Sequence, residues 1–86
     1  MESDRVVYTF QKNPDEEIRF SLRTYKDRYY LDIRLWFRPS SGGECHPTKK
    51  GLTVALEHLQ ELRKGLERVG KVASELPLHE PANSVK

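Results

Sequence analysis

Between Ile18 and Arg38 apolar and polar side chains alternate: Ile18, Phe20 and Leu22, then Leu31, Ile33 and Leu35, with neighbours in each set separated by one charged or hydroxyl-bearing residue. Successive side chains of a strand point to opposite faces, so this period of two predicts a pair of half-buried β-strands. A two-residue turn at Lys26-Asp27 sets Leu22 opposite Leu31, Phe20 opposite Ile33 and Ile18 opposite Leu35, and every pair is apolar. The same register sets Tyr25 opposite Arg28, Arg23 opposite Tyr30, Ser21 opposite Asp32 and Arg19 opposite Arg34, with Trp36 and Arg38 continuing that side. Slipping one strand by a single residue would turn the whole aliphatic set into water, so the two strands check each other.

Upstream, Val6, Tyr8 and Phe10 alternate with Val7 and Thr9, which predicts a short first strand closed by the turn residues Asn13-Pro14-Asp15. Downstream, Pro39-Ser40-Ser41-Gly42-Gly43 predicts a flexible connection whose glycines accept positive φ. A further strand is expected from about Cys45 to Val54. Pro47 cannot donate to a ladder and belongs at an edge or irregular position, with the regular part of the strand after it.

From Ala55 the period changes. Leu56, Leu59, Leu62, Leu66, Val69, Ala73 and Leu76 recur at spacings of three and four, which predicts one amphipathic helix. Thr53 is its nearest N-cap candidate; Glu57 and Glu61 come early and Arg63, Lys64, Arg68 and Lys71 late, as the helix dipole favours. Gly65 and Gly70 each cost about 1 kcal/mol relative to Ala in a helix interior and suggest close packing, a kink or fraying beyond Val69. Pro77 ends the helix, and residues 77–86 are expected to form a flexible tail. The expectation is an α+β chain with one domain over residues 1–76, its core over 10–69, and no internal repeat.

With 86 residues, 36% of them hydrophobic and 33% charged, the chain has room for one small domain, and a second subunit is a natural way to complete its core. Cys45 is the only cysteine, which excludes an intrachain disulfide and fits a reducing compartment. No apolar run approaches the length of a membrane span, and the start, with Glu2, Asp4 and Arg5, lacks the apolar core of a signal peptide; a soluble, non-secreted protein is expected.

The net charge of +2 is unevenly spread. Residues 1–17 carry 2 basic and 5 acidic side chains, residues 18–51 carry 8 and 3, and the remaining 35 residues carry 5 of each. Positive charge is therefore concentrated on the expected sheet, where it attracts polyanions. Six of the eight aromatics, Phe20, Tyr25, Tyr29, Tyr30, Trp36 and Phe37, lie in the same segment. Aromatics interleaved with cations suit single-stranded nucleic acid, whose bases offer π-faces worth about 1–3 kcal/mol each on stacking while cations follow the phosphates. Taken alone, the face could equally be an ordinary solvated sheet surface, and Lys49-Lys50 could serve as protection of an edge strand.

Other chemistry is poorly supported. Cys45 and His46 are adjacent but lack a second ligand cluster, so no metal is expected. Asp32 fits a carboxylate that pairs with and orients neighbouring arginines. No nucleophile and base pair, phosphate loop or carboxylate cluster is visible, and neither an enzyme nor a cofactor is expected.

Read together, RTYKDRYYLDIRLWF (Arg23–Phe37), HPTKKGLTV (His46–Val54) and the leucine-rich helix resemble the positive cofactor four family of transcriptional coactivators, over roughly Phe10 to Val69. The most specific parts are Leu31–Arg34 followed by two aromatics, and Pro47–Gly51 leading into a strand. The resemblance implies a curved four-stranded antiparallel sheet followed by a kinked helix, and a homodimer that holds single-stranded DNA, including melted duplex, in basic, aromatic-lined channels. It also implies transcription regulation as the setting, the transcription machinery as a partner, and no membrane. Location follows the host: cytoplasmic and nucleoid-associated in a bacterium, nuclear in a eukaryote.

Residue by residue, the resemblance gives Tyr25 a base-stacking role beside Lys26 and Arg28 at the hairpin tip, with Arg23 and Tyr30 on the same face. Arg34 matches a basic contact on the second strand of the hairpin. Lys49, Lys50 and Gly51 match a basic pair and a glycine that approach the phosphates. Phe37 falls at the position of a stacking tryptophan, whereas this chain has Trp36 one residue earlier, and alternation favours Trp36 on the basic face unless a bulge re-aims the strand end. Asp27 replaces the usual turn glycine, and the acidic start Met1–Glu17 is short, as in the compact form of the family. The alternative is a module that uses the same face for RNA or for an acidic protein segment.

Overall fold

The computed structural model describes residues 3–40 and 42–77. Four strands, β1 (Ser3–Asn13), β2 (Glu16–Tyr25), β3 (Arg28–Phe37) and β4 (His46–Ala55), are followed by a 3₁₀ turn (Leu56–His58) and one helix, α1 (Leu59–Ala73). The strands form one antiparallel sheet in the order β1-β2-β3-β4. The expected tail lies, apart from Pro77, outside the described residues.

The central hairpin has the expected register throughout, from Tyr25 opposite Arg28 to Ile18 opposite Leu35. Lys26 and Asp27 both have positive φ, 50° and 62°, the primed geometry whose twist matches that of the flanking strands. The turn before β2 is held by the Asn13 side chain, whose Oδ1 accepts from the backbone N–H of Asp15 at 2.9 Å. Gly42 and Gly43 have φ of 97° and 101° in the connection to β4, where a side chain would be strained.

β1 departs from strict alternation. It is 11 residues long, not a short strand, and its pairing steps from Val6–Ser21 to Tyr8–Phe20, which leaves Val7 as a bulge. Val6 thereby joins Ser21 on the polar face, while Tyr8 and Phe10 pack with Phe20 at ring-centroid distances of 5.9–6.4 Å.

The helix start also differs from expectation. Thr53 is a β4 residue whose hydroxyl is committed to Asp32, and the 3₁₀ turn intervenes before α1 begins at Leu59 with no side-chain N-cap. Gly65 and Gly70 lie inside a helix that continues to Ala73, so it does not fray at Val69. A Cβ at either glycine would meet no atom within 4 Å, so packing within this chain does not require them.

Little is enclosed. Among the described residues Leu35 is the only buried apolar side chain. The radius of gyration is 15.4 Å, against about 12 Å for a compact domain of this length. Phe20, Leu31, Ile33 and Leu52 on the sheet and Leu62 and Leu66 on α1 line an open apolar hollow between the two layers.

Candidate nucleic-acid interface

The opposite face of the sheet carries the cations. Arg23, Asp32, Arg34, Trp36, Thr48 and Lys49 line a hollow across it, and Arg23 also borders a second recess under the hairpin tip, with Tyr25, Tyr30 and Thr53. Arg23 borders both recesses, one toward the β3–β4 end and the other at the β2–β3 turn. No helix among the described residues is long and apolar enough to cross a membrane.

At the β3–β4 end the ladder is broken. Arg34 pairs with Gly51 and Trp36 with Pro47, so Thr48, Lys49 and Lys50 stand against Leu35 alone. Thr48 holds this bulge: its hydroxyl donates to the Leu35 carbonyl at 2.9 Å and accepts from the Lys50 N–H at 3.1 Å. Gly51 then brings β4 back onto β3 so closely that a Cβ would collide with the Ile33 carbonyl oxygen and lie 2.8 Å from Cα of Arg34. This glycine thus has a structural reason within the chain. Pro47 sits before the irregularity in an edge strand, as its missing N–H requires.

Arg34 is engaged on several sides. Its Nε and Nη2 donate to the Asp32 carboxylate, the shortest contact being 2.9 Å, and its Nη1 donates to the Thr48 carbonyl at 3.1 Å. Thr53 Oγ1 donates to the same carboxylate at 2.6 Å. Burial pushes the Asp32 carboxyl up, but the hydrogen bonds from Arg34 and Thr53 and the charges of Arg34 and Arg23 outweigh it and hold the group below its ordinary value. The bond to Asp32, against some burial, raises Arg34 in turn.

The remaining cations fall into two groups. Arg23 pairs with Asp4 at 3.2 Å, while Arg19 and Arg38 share Glu17. Among the described residues Lys26, Arg28, Lys49 and Lys50 have no carboxylate within ion-pair distance. Lys26 lies 5.3 Å from the centre of the Tyr25 ring, and Tyr25 is 46% exposed. At the β1–β2 turn an Asn13 hydrogen bond, opposed by burial and assisted by a Lys12 hydrogen bond and by the Lys12 and Lys50 charges, lowers the Glu16 carboxyl.

Alternation in β3 persists to its end because the bulge is in β4. Trp36 accordingly lines the basic hollow, and Phe37 lies on the other side, stacked on His46 at 5.8 Å. Sequence reasoning did not single out Thr48 or Thr53 for the site. A hydroxyl two residues ahead of an unpaired N–H is a local signal for Thr48, while the bond of Thr53 to Asp32 spans two strands and leaves no local trace.

Residues 12–65 match the family described as Transcriptional Coactivator p15 (PC4). The chain belongs to the PC4 family. The matched segment contains the whole central hairpin, β4 and every candidate contact residue. BPSL1147, a PC4 homolog from Burkholderia pseudomallei, is 31% identical and superposes in its tetragonal crystal form with a TM-score of 0.72, covering 79% of this chain and 98% of that one. Its orthorhombic form gives 0.71 at the same identity, covering 79% and 90%. The bacteriophage T5 homolog of the coactivator PC4, implicated in recombination-dependent DNA replication, shares the fold at 24% identity with a TM-score of 0.58, covering 90% of this chain and 99% of that one. No curated protein sequence matches the chain. The PC4 family is non-catalytic, and membership implies a single-stranded-DNA-binding, coactivator-like role.

Proposed function

We propose that this chain is a homodimeric single-stranded-DNA-binding protein of the PC4 type, and that each subunit holds one strand along the basic face of its sheet with little sequence preference. The observation that carries this is the placement of aromatic rings and cations on one face of the sheet: Tyr25 at the hairpin tip, with Lys26 near its ring and Arg28 opposite it in the ladder, and Trp36 in one hollow with Lys49 at the bulge that Lys50 completes, none of these cations having a carboxylate partner among the described residues. Arg23 and Tyr30 lie between them. Bases stack on the rings and phosphates follow the cations, a division of labour that needs no base-edge recognition. Melted duplex supplies two such strands, one for each subunit of a dimer.

Dimerisation is supported by what one subunit leaves uncovered. Leu66 and Val69 of α1 are each 65% exposed, Leu52 of β4 is 45% exposed, and the hollow between sheet and helix is open. Contiguous apolar surface of this kind is covered in most soluble proteins, and a second copy of the chain presents a matching one.

Fluorescence anisotropy with a labelled oligonucleotide tests the proposal. Single strands bind more tightly than the matched duplex, and log affinity falls linearly with log salt as counterions are released. Equal, weak binding to both forms would overturn it. A matched RNA oligonucleotide in the same assay distinguishes a DNA-specific channel from a general single-strand channel, because the 2′-hydroxyl is the discriminating group.

A further inference from the structure

We infer that Arg34 is a positioning residue: anchored by Asp32, its guanidinium fixes the Thr48–Lys50 bulge in the form that presents Lys49 and Lys50 to the nucleic-acid strand. This rests on the single-strand-binding function proposed above and assigns a division of roles among its cations.

The arrangement of donors carries the inference. A guanidinium has five N–H donors in a rigid fork. In Arg34 the Nε and Nη2 side of that fork is spent on Asp32, and Nη1 is spent on the carbonyl of Thr48, in the stretch where the β3–β4 ladder is interrupted. The pair is largely covered, with side-chain exposures of 20% for Arg34 and 8% for Asp32. A phosphate approaching Arg34 would meet the Asp32 carboxylate against the same guanidinium, and like charges repel. Lys49 and Lys50, by contrast, are exposed and without a carboxylate partner among the described residues.

A bulge of three residues against one needs something to hold it, since its backbone groups lie outside the regular ladder. Two side chains do so from the two strands. Thr48 clasps Leu35 and Lys50 with its own hydroxyl, and Arg34 takes the Thr48 carbonyl. Asp32, itself fixed by Thr53, sets the direction of the Arg34 fork. The chain of bonds Thr53, Asp32, Arg34, Thr48 thus ends at the backbone that carries both free lysines.

The test uses a substitution for which charge and position predict opposite signs. Asp32→Asn removes a negative charge from the basic face, so simple electrostatics would tighten binding to an oligodeoxythymidine. Positioning predicts the reverse: affinity about tenfold weaker, and a log affinity against log salt slope shallower by about 1.4, or about 0.7 for each of two lost phosphate contacts. Thr48→Val, which changes no charge, gives a loss in the same direction. Arg34→Lys keeps the charge without the fork and is also weaker than wild type.

A variant lacking both lysines, Lys49→Ala with Lys50→Ala, separates positioning from general damage. In that background at low salt, Asp32→Asn and Thr48→Val produce no further loss, because the groups they act through are gone. Tighter binding by Asp32→Asn, wild-type affinity in Arg34→Lys, or full additivity in the lysine-free background would each overturn the positioning role while leaving single-strand binding intact. A wild-type chain that does not prefer single strands would instead remove the proposed function, and the positioning role with it.

Discussion

The guanidinium of Arg19 lies over the indole of Trp36, with Cζ 3.9 Å from the ring centroid, and Glu17 accepts from the Arg19 Nε. The tryptophan is thereby held in the basic hollow by a cation that is itself tethered from the same strand. Because Trp36 is the only tryptophan, its emission reports on this end of the channel alone. Saturation with an oligodeoxythymidine quenches that emission, and Trp36→Ala weakens binding by about 1–3 kcal/mol, the range for one base stacked on an aromatic ring. Phe37→Ala, which removes a ring stacked on His46 away from the hollow, leaves affinity close to wild type. An unquenched tryptophan in the saturated complex would place the stacking elsewhere.

Tyr25 and Lys50 contribute in ways that a salt series separates. Lys50→Ala removes a cation, so the slope of log affinity against log salt becomes shallower by about 0.7. Tyr25→Ala removes a stacking surface and lowers affinity at every salt concentration with the slope unchanged. Circular dichroism of both variants matches wild type, since neither residue lies on the aliphatic face. A changed slope in Tyr25→Ala would mean that the ring acts by positioning Lys26, which lies 5.3 Å from it.

How far such contacts can be read in advance depends on the range of the interactions behind them. The hairpin register was legible because six apolar residues on two adjacent strands must all face one way, a constraint satisfied by one pairing. The PTKKG segment was legible as a basic turn into a strand, but its three-against-one bulge was not, because it depends on Thr48 and Gly51 meeting β3 atoms across the sheet. Thr53 illustrates the same limit: its type and position fit an N-cap, and a bond to Asp32, 21 residues away, took the hydroxyl instead. The Val7 bulge escaped for a related reason, since Val6, Val7 and Tyr8 are all apolar and either neighbour of a slipped residue can face the core.

Asp32 should make folding sensitive to acid. Its carboxyl is held below the ordinary value in the folded chain, so the folded state binds its proton less readily than the unfolded one. The resulting stabilisation is complete above the unfolded pKa of about 3.9 and is lost as pH falls through the lower folded value. The measurement is Tm against pH for wild type and Asp32→Asn. The two curves separate at neutral pH, wild type being the more stable, and converge in strong acid. A constant separation across the range would assign the difference to packing of the amide and not to charge.

Gly51 on β4 and Leu35 on β3 govern stability. Gly51→Ala forces a Cβ against the Ile33 carbonyl and Arg34 Cα, backbone atoms that cannot swing aside, and overpacking of this kind costs about 1–3 kcal/mol. Leu35→Ala empties the one buried apolar position among the described residues, at a cost of about 2–5 kcal/mol. Urea unfolding checks both as a lowered midpoint. A Gly51→Ala chain as stable as wild type would show that β4 can move away from β3 there, and its DNA affinity would then report what that movement does to Lys49 and Lys50.

The exposed apolar stripe of α1 makes the strongest statement about assembly. Leu66 and Val69, each 65% exposed in one subunit, could be exchanged for charged residues at little cost if the subunit worked alone. In a dimer the same exchange buries a charge against the partner's apolar face, which is expensive unless the charge is paired. Sedimentation equilibrium should therefore give twice the 10.1 kDa chain mass for wild type, and a Tm that rises with protein concentration. Leu66→Glu should shift the equilibrium to monomer, lower Tm and abolish its concentration dependence. Gly65, beside Leu66 and with open space where a Cβ would stand, offers a milder probe: Gly65→Ala improves helix propensity by about 1 kcal/mol in an isolated chain. It therefore stabilises the protein unless a second copy packs against that position. A destabilised Gly65→Ala dimer would place the partner's backbone at α1, and a stabilised one would leave the interface to Leu66, Val69 and the sheet.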